Sequence, residues 1–169
     1  DLLLELKQYK PAIVRGNASE IIALASLWGI EANACESSRP RGVDTTDTVE
    51  AARDAAAALA RYTGGAVAVS GKKDLVTDGE KVAYSEGGSE LMEKVTGFGC
   101  SQGGVLAVYA TATNPFTAAL AAVAHYNVAG SRAAKVADAP ASFKTAFIDE
   151  LYRATARDIA DNTFSVEEA

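Results

Sequence analysis

The chain has 169 residues, 49% of them hydrophobic and 22% charged, a balance that suits one globular domain with a buried core and excludes a disordered or collagen-like polymer. Its formal net charge is −6, and no run of lysine and arginine is interleaved with aromatics, which excludes the electrostatic footprint of a nucleic-acid partner. No apolar stretch approaches the roughly 20 residues that span a bilayer, and the first residues lack the order of a signal peptide, so a cytoplasmic protein without a membrane partner is expected.

In chain order, "DLLLELKQYKPAIVRGN" opens without an initiator methionine and inside an apolar helical face of Leu2, Leu3 and Leu6, which reads as a portion of a longer chain. Residues 1–9 predict a short helix stopped by Pro11. "AIVRG" (12–16) then predicts a strand and "NASEIIALASLWG" (17–29) a helix, a strand–tight turn–helix unit. Residues 30–44, without periodicity, predict a loop. An alanine-rich helix over 45–65 leads to a buried strand, "AVAVSG" (66–71). "DLVTDGEKVAYS" (74–85) places Asp78-Gly79 between two strand-like runs, the signal for a hairpin with a type I′ turn.

"EKVTGFGC" predicts a short extended piece, a glycine turn and a helix from about residue 100 to 113, broken by Asn114-Pro115. Helices over 116–136 and 143–160 follow, separated by "DAPAS", and 162–169 is expected to fray. Strands alternating with helices predict a single α/β domain over 1–169, layered around a largely parallel sheet. The strands are too few to underlie five helices, so the sheet is expected to lack part of itself.

Three stretches carry candidate chemistry. In "TGFGC" the glycines permit positive φ and close approach of a ligand, so the N–H groups of Gly97, Phe98, Gly99 and Cys100 are candidates for an anion hole at a helix start. A thiol in that field is biased toward thiolate, which accepts a proton; a plain turn with a buried cysteine explains the spacing equally well. In "RGNASE", Arg15 at the ligand-binding end of a sheet is a candidate phosphate contact. Asn17 and Glu20 are candidates to organise hydrated magnesium; the spacing favours a capping box, which does not exclude a role for the Glu20 carboxylate. In "VSGKKD", Ser70 and Gly71 offer a hydroxyl and a close backbone, with Lys72 and Lys73 beside them; a solvated turn is the simpler reading. His125 needs no role beyond packing or a hydrogen bond. Cys35 and Cys100 are expected as reduced thiols.

Taken in order, "RGNASEI" (15–21), "RGVDTTD" (41–47), "AVAVSGKKDLVTDG" (66–79), "VTGFGC" (95–100) and "SFKTAFIDEL" (142–151) resemble the hydroxyethylthiazole kinase family of the ribokinase-like superfamily. The resemblance implies a carboxyl-terminal portion of a three-layer ribokinase-like fold with a mostly parallel sheet, lacking its N-terminal strands. It implies transfer of the ATP γ-phosphoryl group to the hydroxyl of 4-methyl-5-(2-hydroxyethyl)thiazole in thiamine biosynthesis, with Mg2+ as cofactor and a homotrimer with sites between subunits. Carried residue by residue, it puts Cys100 at the catalytic base, where superfamily kinases for sugars and pyridoxal have aspartate. It puts Arg15 and Ser70 on ATP, Gly97 at the thiazole and Asn17 with Glu20 near magnesium. The chain departs from the family pattern at Lys72, where an acidic residue is common, and at "DAPASF" (138–143), which replaces a glycine-rich turn. The alternatives are another ribokinase-like kinase, an ATP-dependent hydrate dehydratase, or a catalytically silent fragment that binds nucleotide or a partner chain.

Overall fold

All four residues of "AVAV" at 66–69 are buried, which sets β2 (Ala66–Ser70) between two helical layers. The structure, a computed structural model, describes residues 2–30 and 47–169. The expected loop beyond residue 30, Cys35 and residues 41–46 of "RGVDTTD" lie outside the described residues. After α1 (Leu2–Leu6) and a 3-10 turn at Lys7–Tyr9 come β1 (Ile13–Asn17), α2 (Ala18–Leu27) and α3 (Asp47–Thr63). The hairpin β3 (Asp74–Thr77) and β4 (Lys81–Ser85) follows β2, then a 3-10 segment at Glu90–Lys94, α4 (Phe98–Ala110), α5 (Pro115–Ala133), α6 (Pro140–Arg153), α7 (Ala156–Ala160) and β5 (Phe164–Glu168).

The sheet runs β1-β2-β3-β4-β5. Only β1 and β2 are parallel; the other three pairings are antiparallel. The α/β layering holds, but the mostly parallel sheet expected from the sequence does not. The reason is loop length: three residues, 71–73, join β2 to β3 and three more join β3 to β4, far short of the dozen or so that a parallel crossover needs. The turn at 78–80 is also not type I′, which demands positive φ at both central residues. Only Gly79 has it, at +93°, while the Asp78 carboxylate accepts the Glu80 and Lys81 amides. The tail expected to fray instead pairs with β4 as an exposed edge strand, with Arg53 of α3 bridging to Glu167 at 2.9 Å.

Strand alternation divides the core. Val14, Val67, Val69, Leu75 and Val82 face α2 and α3, where Ile21, Ala52, Ala56 and Leu59 meet them. Ala66, Ala68 and Val76 face the opposite layer, against Leu106 of α4 and Ala119, Ala122 and Val123 of α5. Alanines on both sides allow the helices to approach closely. A third cluster, Phe98, Tyr126, Ala129, Phe143 and Phe147, locks the first turn of α4 onto α5 and α6. The last predicted helix is two, because Thr155 and Asp158 form a capping box that starts α7 anew after Ala154 turns extended. Among the described residues no helix is long and apolar enough to cross a membrane.

Candidate functional site

The candidate site lies where β1, the end of β2 and the first turn of α4 converge. Arg15 alternates with buried Val14 and Gly16, so it shares a face with Ile13, which packs into the α4 and α5 layer. Its Nη2 donates to Ser70 Oγ at 2.9 Å and its Nε to Gln102 Oε1 at 3.1 Å. Two donors at an angle hold the guanidinium in place, close against Gly99. A Cβ built on Gly99 would sit 2.8 Å from Nη1 and 2.9 Å from Nη2. Gly99 is therefore required by the arginine packed over it rather than by a strained backbone.

Gly97 supplies the turn itself, as the N-cap of α4 with φ of +87°. The helix starts at Phe98, two residues before the predicted start, which makes Cys100 its third residue, still within the turn whose amides lack intrahelical partners. The Phe98 N–H donates to Val95 O at 3.3 Å, and the amides of Gly97, Gly99 and Cys100 have no protein acceptor among the described residues. Of the four expected anion-hole amides, three thus stay open, beside a fixed guanidinium and at the positive end of a 13-residue helix. Cys100 is a free, exposed thiol, which sets aside the reading of a buried, inert cysteine.

Packing beneath the turn holds it in place. Buried Phe98 stacks on Phe143 at 5.8 Å and meets Phe147 at 4.5 Å. Ser101 Oγ donates to Phe98 O at 2.8 Å and lies 2.9 Å from the Tyr126 hydroxyl. Burial pushes the Tyr126 phenol up, against the Ser101 hydrogen bond and the Arg15 charge.

Asn17 and Glu20 form the capping box of α2: the Glu20 amide donates to Asn17 Oδ1 at 2.8 Å and the Asn17 amide to Glu20 Oε2 at 2.7 Å. The bland reading of that motif is thereby real, and it places an exposed carboxylate at the end of β1. Among the described residues no group of three or more His, Cys, Asp or Glu side chains converges. Lys72 is exposed, and Lys73 is paired with Glu86 at 3.1 Å and lies over the Tyr84 ring. His125 bridges Tyr109 and the Leu151 carbonyl, a structural link between α4, α5 and α6.

Sequence reasoning missed Gln102 and Asp74. Gln102 is buried and three residues beyond Gly99; a glutamine inside a helix rich in glycine and apolar residues was its available signal. Asp74 accepts the Gly71 amide at 3.0 Å and closes the turn after Ser70. Burial pushes its carboxyl up, opposed by the Gly71 and Asn127 hydrogen bonds and by the Arg15 charge.

Known proteins share this architecture. The chain is 44% identical to a hydroxyethylthiazole kinase of Bifidobacterium longum strain DJO10A, a match that covers 98% of this chain and 58% of that protein. It is 46% identical to a hydroxyethylthiazole kinase of Corynebacterium glutamicum strain R over 89% of this chain and 55% of the relative. The solved structure of a hydroxyethylthiazole kinase protein from Pyrococcus horikoshii OT3 superposes with a TM-score of 0.79 at 28% identity, covering 98% of this chain and 58% of that one. The chain thus spans little more than half the length of these relatives. With the Hydroxyethylthiazole kinase family matching residues 1–157, the chain belongs to that family.

Proposed function

We propose that the chain carries the nucleotide-facing and catalytic part of a cytoplasmic kinase that moves the ATP γ-phosphoryl group to the hydroxyl of 4-methyl-5-(2-hydroxyethyl)thiazole in thiamine biosynthesis. The observation that carries the reading is the Arg15 guanidinium, held by Ser70 and Gln102 across Gly99 at the open N-terminus of α4. Family membership supplies the reaction class.

In this reading Arg15 and Ser70 bind the nucleotide phosphates, and the amides of Gly97, Gly99 and Cys100 take up the charge that develops on the transferred group. Gly97 also borders the thiazole. The alcohol oxygen attacks the γ-phosphorus as the bond to the β-phosphate oxygen breaks, its electron pair leaving with ADP. The hydroxyl proton passes to the Cys100 Sγ thiolate, which becomes the thiol. Phosphoryl transfer needs mostly positioning and charge stabilisation from the protein, so a modest base suffices beside an anion hole. The donor set fits a hydrated magnesium ion held mainly by the nucleotide: Glu20 offers one exposed carboxylate, with Asn17 beside it, and magnesium commonly uses one or two carboxylates plus phosphates and water. When bound, the ion would neutralise β- and γ-phosphate charge. A homotrimer with sites between subunits belongs to the same reading.

An ADP-coupled assay with ATP, magnesium and the thiazole alcohol, run on the natural polypeptide that carries this chain, tests the proposal. Turnover is expected with the thiazole alcohol and not with pyridoxal or a sugar. Cys100→Asp is expected to keep turnover while Cys100→Ala loses about 100-fold or more, the usual scale of a general base. Equal rates in the two variants would remove the base role, and preference for pyridoxal or a sugar would remove the substrate.

A further inference from the structure

Two separate segments deliver the candidate site: the turn at 70–74 brings Ser70, and the segment at 86–97 brings the glycine turn. One residue of α5 touches both. Asn127, buried to 4% exposure, donates from Nδ2 to Asp74 Oδ2 at 3.0 Å and to Ser85 Oγ at 3.1 Å. Its backbone carbonyl accepts the Gly88 amide at 3.0 Å.

Each contact leads into the site. The other oxygen of Asp74 accepts the Gly71 amide, next to Ser70, which holds Arg15. Gly88 exchanges hydrogen bonds with Ser131 as well, 2.9 Å from its amide and 3.2 Å to its carbonyl. Beyond it Ser89 caps the 3-10 segment that runs into Val95 and Gly97. The approach is close on both sides: a Cβ on Gly87 would meet Asn127 Cβ at 2.9 Å, and one on Gly130 would meet Gly88 Cα at 3.0 Å. Ser85 is braced from the far side by Asn162 Nδ2 at 3.0 Å. A buried amide is costly unless a partner satisfies it, and here that partner is the half-buried Asp74 carboxylate; an apolar residue would fill the same space against the sheet.

We infer that Asn127 is a positioning residue that fixes the 70–74 turn and the 86–97 segment relative to each other, through its side chain on Asp74 and its main chain on Gly88, and so sets the distance between Ser70–Arg15 and the glycine-turn amides. The inference rests on the nucleotide reading of that site. Asn127→Leu unties the first turn and leaves the second, so nucleotide affinity falls while the KM for the alcohol, which borders Gly97, stays.

The test uses amide hydrogen exchange on the unliganded chain and ATP titration with magnesium present. Asn127→Leu is expected to speed exchange at Gly71 about tenfold or more, with the amides of β2 unchanged. It is expected to weaken ATP binding roughly tenfold, and the reversed pair Asp74→Asn/Asn127→Asp to recover most of that loss, because the hydrogen bond is re-formed with its donor and acceptor exchanged. Should Asn127→Leu not fold, Asn127→Asp alone serves, since it faces one carboxylate with another. Unchanged Gly71 exchange, wild-type ATP affinity in Asn127→Leu, or a reversed pair no better than Asn127→Asp would each overturn the inference. Failure of the parent reading looks different: Arg15→Ala would bind ATP as the wild type does, and the exchange at Gly71 then decides the positioning claim by itself.

Discussion

Replacing Gly99 by alanine separates the site from the fold. The residue lies in the first turn of α4, and its φ is outside the left-handed region, so alanine fits the backbone and favours the helix by about 1 kcal/mol. The added Cβ, however, would stand 2.8 and 2.9 Å from the two terminal nitrogens of Arg15 and 3.2 Å from its Cζ. These atoms end a flexible side chain, so the arginine moves and the helix does not. Its displacement removes the 2.9 Å bond to Ser70 and the 3.1 Å bond to Gln102, leaving the buried glutamine oxygen without its donor, a loss of about 1–3 kcal/mol that offsets the helix gain. The melting temperature should therefore stay the same or fall by no more than about 8 °C. Nucleotide affinity should fall much further, because a hydrogen bond from a charged group to phosphate contributes about 1.5–3 kcal/mol, or roughly 10- to 150-fold. A fluorescent ATP analogue and a thermal melt read both quantities. Arg15→Ala should produce the same loss, and combining it with Gly99→Ala should add almost nothing, since both remove one interaction. Wild-type affinity in Gly99→Ala, or full additivity of the two losses, would refute the reasoning.

Other outcomes follow from the same packing. Phe143 is fully buried and stacks under Phe98, so Phe143→Ala should cost about 3–5 kcal/mol in a denaturant melt; a smaller loss would mean that the aromatic cluster does not hold the α4 turn. The Tyr84 phenol, pushed up to about 12 by burial and by Glu50, whose carboxylate accepts its hydrogen at 2.7 Å, should ionise near that value in an ultraviolet titration. Because its folded-state value is raised, its contribution is complete below the unfolded value of about 10 and is lost as pH rises toward 12; Glu50→Gln should lower the titration point. The expected contrast between Cys100→Asp and Cys100→Ala stands beside these.

How far the chain could be read without coordinates depended on whether the signal was local. Asn17 with Glu20, Asn114 before Pro115 and Asp78-Gly79 are short-range motifs, and the structure shows a capping box, an N-cap and a hairpin there. The α/β layering followed from alternating periods. The sheet's direction was misjudged because the short 71–73 connection was not given its full weight, although it forbids a crossover. β5 was missed for a similar reason: "FSV" alternates as a strand should, but its partner β4 is some eighty residues earlier, and a terminal stretch looks frayed until that edge is known. The site divides the same way. Gly97 and Gly99 announced a turn, yet the reason for Gly99 is an arginine 84 positions away, and Gln102 and Asn127 gain their roles only from what α4 and α5 pack against.

The central claim is that Arg15, braced over Gly99 at the start of α4, receives nucleotide phosphate. Calorimetric titration of the wild type and of Arg15→Ala with ATP and magnesium tests it most directly. The account predicts saturable binding by the wild type and a loss of about tenfold or more in the variant; equal affinities in the two proteins would contradict it.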